Sequence, residues 1–255
     1  MQAPRDPVID SEPMVPGGAD RPSKTIVQGD ALEWIAQYRP DPRHALVASI
    51  PDSSELPDPA FEPWKAWFSL VVRRVVEAAD PASPVFFYQS DVRHAGTWVD
   101  KGHLVQRAAE EAGAALLAHR IVCRKPAGTA AFGRATYSHL LLFSRTLRTT
   151  RRFAYCDVLP DGGPAVWVRG LGLDTCEAIV AMIRQESACD TLVHLFCGKG
   201  LLLEVARERG LHAIGIDLSK RQCRQAQHFN LAKFRASLPG RAAREKAGEP
   251  PSGSS

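Results

Sequence analysis

The stretch TLVHLFCGKGLLLEVARERGLHAIGIDLSK, residues 191 to 220, limits the fold more than any other part of the chain. An apolar segment (TLVHLF) runs into a two-glycine turn (CGKG), a helix-forming segment comes next, and a second apolar segment (LHAIGI) ends at Asp217. Two parallel strands joined by a helix need a sheet covered on both faces, so this unit predicts an α/β domain. Glycines let the backbone pass close to a ligand, and the helix after them presents free N–H groups. With only two glycines, the turn is neither a GxGxxG fingerprint nor a phosphate loop ending in GK[ST]. A carboxylate at the end of the next strand suits the hydroxyls of a ribose, which points to a nucleoside. The competing reading is a tight strand-to-helix turn with Asp217 capping the next helix.

Such a unit normally opens a nucleotide-binding domain, yet here it stands near the end of the chain, so the remaining strands must lie upstream. KTIVQ reads as a short strand, and GDALEWIAQY as a helix with Asp30 near its N-cap. HALVASI and PVFFYQ are continuous apolar runs of the kind found in buried strands. Between them, Phe61 to Ala79 places Trp64, Trp67, Phe68, Val71, Val72 and Val75 on one helical face. WVDKGHLVQRAAEEAG predicts a helix stopped by Gly113. ALLAHRIVCRK and YSHLLLFSR suggest an antiparallel pair at a sheet edge. LDTCEAIVAMIRQES predicts a helix with Asp174 and Glu177 as its capping box, and SKRQCRQAQHFNLAKF a last helix. The expected fold is therefore a Rossmann-like α/β sheet of seven strands, circularly permuted, with the glycine-loop half last.

The termini differ from this pattern. Residues 1–23 and 237–255 are rich in Pro, Gly and small polar residues and are expected to be disordered tails around a folded domain at 24–236. No apolar run reaches the roughly 20 residues that cross a bilayer, and no basic-then-apolar leader opens the chain, so a cytoplasmic protein without membrane contact is expected. The six cysteines form no CxxC pair, which predicts reduced thiols and no metal site. A net charge of +4 leans mildly towards a polyanionic partner.

The words GDALEWI, FFYQSD, RIVCRKP, HLLLFSR, HLFCGKG and IGIDLSKRQC, in this order, resemble the permuted class of S-adenosylmethionine-dependent amino-methyltransferases, which modify N4 or N6 amines of DNA or RNA bases. The resemblance runs from Lys24 to Phe234. It implies a methyltransferase sheet and S-adenosyl-L-methionine as cofactor. It further implies that the loop of Phe196, Cys197, Gly198, Lys199 and Gly200 cradles the methionine moiety, that Asp217 holds the ribose, and that Asp30 approaches the adenine end.

The loop after HALVAS departs from the family. Where relatives carry an acid, Asn or Ser followed by Pro-Pro-aromatic, this chain reads Ile50-Pro51-Asp52-Ser53-Ser54-Glu55. Ile50 cannot accept a hydrogen bond from a base amine and Ser53 cannot stack on a flipped base; Pro51 alone is retained. His194 and Leu195 stand where the family has Asp-Pro, and no His-Pro precedes LDTC. Three readings remain open. Asp52 or Glu55 serves as a base for a ring nitrogen or hydroxyl, unless both simply belong to a solvated loop. Alternatively, an aromatic such as Phe61, Trp64 or Trp98 supplies stacking to an amine methyltransferase. The third reading is a non-catalytic nucleic-acid-binding relative, against which Gly198, Gly200 and Asp217 argue.

For the substrate, the segment 145–170 gathers Arg145, Arg148, Arg151 and Arg152 beside Phe153, Tyr155 and Trp167. Arginines contact phosphates and aromatics stack on splayed bases, so Arg148, Arg151, Arg152 and Phe153 are substrate-binding candidates, with a solvated edge as the plain alternative. The segment is short for a DNA recognition region, which favours tRNA or rRNA over DNA or a small molecule. Recognition through a partner protein fits the same shortness, and a homodimer is the other assembly expected.

Overall fold

The computed structural model describes residues 22–56, 60–132, 134–149 and 155–239. The strands are β1 (Lys24–Gln28), β2 (His44–Ala48), β3 (Val85–Gln89), β4 (Val92–His94), β5 (Thr97–Val99), β6 (Ala115–Cys123), β7 (Tyr137–Ser144), β8 (Val158–Leu159), β9 (Thr191–Leu195) and β10 (His212–Asp217). The helices are α1 (Ala31–Gln37), α2 (Phe61–Ala78), α3 (Lys101–Glu111), α4 (Leu173–Glu186), α5 (Leu201–Glu208), α6 (Lys220–His228) and α7 (Leu231–Ala236). Eight strands form one sheet in the order β1-β10-β9-β2-β3-β7-β6-β8. All pairings are parallel except those of β7 with β3 and β6.

β3 and β9 are buried along their whole length, and β2 in all but its first residue, as continuous apolar runs require of strands covered on both faces. One face packs on α4 and α5 through Ile179, Ile183, Leu202 and Val205; the other packs on α1, α2 and α3 through Ile35, Phe68, Val72 and Val105. β9 lies parallel to β2, with Val47 opposite His194, although the two are far apart in the chain. The glycine loop after β9 and the loop after β2 therefore leave the same edge of the sheet side by side.

Several local expectations are corrected. The pair β6–β7 is not the sheet edge, because β8 adds to β6 through Ile121 and Val122; two residues are too few to show a period. The hairpin β4–β5 has no counterpart among the expected elements, and it turns at Ala95 and Gly96, both with positive φ. Asp174 and Glu177 form no capping box. The N-cap of α4 is Gly172, and carbonyls of the preceding loop take first-turn amides: Leu173 N–H donates to Pro164 at 2.9 Å and Thr175 N–H to Gly162 at 3.1 Å. The last helix is two helices, because Asn230 accepts the Lys233 amide at 2.8 Å and starts α7 anew. Of the expected tails, only 22–23 and 237–239 lie within the described residues; Ser23 N–H donates to His212 Nδ1 at 3.0 Å and joins the fold.

Candidate active site

At the carboxyl ends of β1, β10, β9, β2 and β3 lies a cavity of about 800 Å³. The cofactor candidates Asp30, Phe196, Cys197, Gly198, Lys199, Gly200 and Asp217 all line it, as do Pro51, Asp52, Ser53 and Glu55. Two regions separated in sequence thus meet in one crevice.

The glycine loop owes its shape to backbone that other residues resist. Gly198 and Gly200 have φ of 56° and 79°, and Phe196 holds φ of 60°, unusual for an aromatic. A Cβ on Gly200 would meet that of Ala226 at 2.9 Å. The Phe196 ring meets Trp67 edge-on at 6.3 Å. Cys197 is buried, which pushes its thiol far up and leaves it inert as a nucleophile.

Asp217 ties the loop to β10. Its Oδ2 accepts the Gly198 amide and its Oδ1 the Ser219 amide, each at 2.9 Å. Burial pushes this carboxyl up, and the two amides oppose the rise. Asp30 caps α1, its Oδ1 accepting Leu32 and Glu33 amides at 2.8 and 3.0 Å. Both acids combine a local backbone role with a place on the cavity wall.

The loop after β2 is tied down through Pro51, Asp52 and Glu55. The Pro51 carbonyl accepts the Trp64 indole N–H at 3.1 Å, so Trp64, buried in α2, is scaffold rather than a stacking surface. Asp52 pairs with the buried Lys101 ammonium, while Glu55 accepts the Asp52 amide at 3.1 Å and pairs with Arg169 at 3.3 Å. Ser53 opens a single 3-10 turn over 53–55. Replacing Trp64 with phenylalanine is expected to lower stability by about 1 kcal/mol, from the lost indole hydrogen bond alone. Denaturant titration showing equal midpoints would mean that this bond does not anchor the loop.

Other lining residues carry no sequence motif. Trp167 leans over the glycine loop, its Nε1 3.6 Å from where a Gly198 Cβ would stand. Asp91, just past the end of β3, is buried and accepts His139 Nε2 at 3.0 Å, the Lys101 amide at 2.8 Å, Tyr137 at 2.8 Å and Trp98 at 3.2 Å. Burial works to raise its carboxyl, but the donors win and hold it below the ordinary value. His194 is buried with both ring nitrogens unpartnered among the described residues, and burial pushes it down to about 3. A neutral imidazole there carries one donor and one acceptor, both closed off from solvent. Of the aromatics named from sequence, Phe61 lines the cavity and stacks on His94 at 3.8 Å, and Trp98 is exposed with Arg93 over its ring at 5.3 Å.

Arg148, the one substrate-binding candidate within the described residues, is not brought here, and neither is its neighbour Arg145. Arg145 donates to the carbonyls of Glu77 and Ala79 at the end of α2, beside the amino end of β3 and away from the crevice. Arg148 is exposed in the same region and bonds only backbone carbonyls of Arg145 and Leu147 among the described residues. Arg151, Arg152 and Phe153 lie outside the described residues. The arginines on the cavity wall are Arg93, Arg124, Arg134 and Arg169.

No protein-family model matches the sequence. No curated protein matches it either. Solved structures do match in shape. A protein described as a DNA modification methylase from Thermus thermophilus, solved with S-adenosyl-L-methionine, superposes with TM-score 0.63 at 20% identity over 85% of this chain and 95% of its own. The PvuII DNA methyltransferase, cytosine-N4-specific, gives TM-score 0.63 at 13% identity over 85% and 93%. A complex of M1.HpyAVI with S-adenosylmethionine gives 0.53 at 13% over 82% and 100%. The chain therefore has the Rossmann-like methyltransferase fold.

Proposed function

We propose that this chain is an S-adenosylmethionine-dependent methyltransferase acting on a nucleic-acid base, with a circularly permuted domain at 24–236. One observation carries the reading: the glycine loop, Asp217 and Asp30 line the same cavity as the Asp52 loop, so a nucleoside cofactor and an acceptor share one crevice. The residues fit that cofactor. Gly198 keeps a side chain out of the cradle beneath Trp167, Gly200 lets the loop close on Ala226, and Asp217 and Asp30 supply carboxylates for hydroxyls and amine. When bound, the cofactor supplies an electrophilic methyl group. The glycine loop, Asp217 and Asp30 would hold it, Trp167 covers Gly198, and the Asp52 loop lines the same cavity.

DNA is the first substrate to test. The superposed Thermus and PvuII proteins are described as DNA methylases, and the placing of Arg145 and Arg148 away from the crevice weakens the argument for RNA from a short recognition segment. No described helix is long and apolar enough to cross a membrane. A cytoplasmic location and a homodimer or partner protein belong to the same proposal.

The test is calorimetric titration with S-adenosylmethionine. Asp217→Ala is expected to weaken binding more than about tenfold, since a hydrogen bond to a charged group contributes roughly 1.5–3 kcal/mol. Gly198→Val, which forces a β-branched residue to positive φ, is expected to abolish it. Absence of binding by the unmodified protein, or binding indifferent to both changes, would sink the assignment.

A further inference from the structure

The polar groups on the acceptor side of the crevice set a cationic donor, Lys101, beside a carboxylate acceptor, Asp52, the complement of a lactam's carbonyl and ring N–H. An exocyclic amine brings two N–H donors, so its site must supply acceptors. Here the Ile50 side chain has none to give, and the Pro51 carbonyl spends one of its two lone pairs on the Trp64 indole N–H at 3.1 Å. Glu55 is paired with Arg169 at 3.3 Å, and Asp91 already accepts four donors. What stands out is a donor: the Lys101 side chain is 3% exposed, lines the cavity, and spends one ammonium proton on Asp52. An ammonium carries three such protons. Burying the Lys101 charge costs desolvation that its partly exposed partner Asp52 at best offsets, so the fold alone gives no reason to keep it.

We infer that Lys101 and Asp52 form the acceptor-recognition pair and that the methylated base is a lactam, with a carbonyl beside a ring N–H as in guanine, uracil or thymine. This deepens the methyltransferase reading and rests on it. The Lys101 ammonium donates to the carbonyl oxygen. Asp52 takes the proton from the ring nitrogen, so the N–H bond breaks and a carboxyl O–H forms. The nitrogen uses the released electron pair to bond the methyl carbon as the carbon–sulfur bond breaks, with that bond's pair staying on sulfur. The sulfonium cation and the Asp52 carboxylate are both consumed as charges, and the products are neutral. Lys101 stabilises the lactam anion on the way, as preorganised donors do where negative charge develops.

The experiment incubates the full chain with methyl-labelled S-adenosylmethionine and separate pools of single-stranded DNA and RNA, digests them to nucleosides, and locates the label. Label on a ring nitrogen of a lactam base supports the inference. Lys101→Met should then lower the rate by about 100-fold while cofactor affinity changes less than twofold. The double change Lys101→Met with Asp52→Leu serves as the folded control, matching the unmodified chain in melting temperature. Label on an exocyclic amine of cytosine or adenine overturns the inference and leaves the methyltransferase reading standing. So does unchanged labelling by Lys101→Met. Cofactor binding without label in either pool also counts against the lactam acceptor, whereas loss of cofactor binding itself refutes the methyltransferase reading first.

Discussion

Replacing His194 with leucine is expected to flatten the acid side of this protein's stability curve. His194 sits on β9 with 2% exposure, and burial alone pushes it from its ordinary 6.5 to about 3. Its folded value is thus depressed, so between those limits the unfolded chain binds a proton that the folded chain refuses. Stability from this residue is complete above pH 6.5 and is lost as pH falls towards 3. Integrated from pH 7 to pH 4, the loss is about 3 kcal/mol. Carboxylates titrate over part of the same range, as do His44 and His119, which burial also depresses. The comparison is therefore between variant and parent at each pH, by denaturant unfolding. Leucine removes the imidazole, and at pH 7 it is expected to be at least as stable, since two unpartnered buried nitrogens go with it. If parent and leucine variant lose stability in parallel on acidification, His194 is hydrated or charged in the fold and the assignment of its environment fails.

Replacing Gly172 with alanine is expected to cost about 3 kcal/mol or more and to weaken cofactor binding with it. A Cβ at Gly172 would lie 2.0 Å from the Gly162 carbonyl oxygen and 2.4 Å from that of Gly163. Both neighbours are backbone, so relief requires moving the loop and not turning a side chain. The same loop gives carbonyls to the first turn of α4 and carries Trp167, which covers Gly198. Displacing it would expose the glycine cradle as well as the end of α4. Denaturant midpoints and S-adenosylmethionine affinity should fall together. An alanine variant with a normal midpoint would show that the loop yields freely, and that Trp167 is not held in place by close approach at Gly172.

His194 and Gly172 mark where reading the chain stops. Periodicity carried the architecture, because a strand buried on both faces must be apolar throughout and a helix on a sheet must be apolar along one stripe. HALVASI, PVFFYQ and TLVHLF announced β2, β3 and β9 in that way, and Trp64, Phe68, Val71, Val72 and Val75 the buried stripe of α2. The glycine loop and Asp217 were legible too, since left-handed backbone and a carboxylate at a strand end have local signatures in residue type. The strand β8 and the start of α4 were not, because each depends on a partner elsewhere: on β6 for β8, and on the carbonyls of Gly162 and Pro164 for α4. The hairpin β4–β5 escaped for another reason, since three-residue strands are too short for alternation to register.

The site divides along the same line. Sequence by itself named the groups that line the crevice on both loops, but it could not say which were already spent. That the Pro51 carbonyl is held by Trp64, that Asp52 meets Lys101, that Glu55 meets Arg169 and that His194 meets no hydrogen-bond partner among the described residues are facts of packing between distant segments. Arg145 and Arg148 show the converse: two arginines suggestive in one dimension lie at the far end of β7, because that strand runs antiparallel to β3 and leads away from the crevice. Residue types determined which chemistry the chain can offer; strand direction and contact determined which of it faces a ligand.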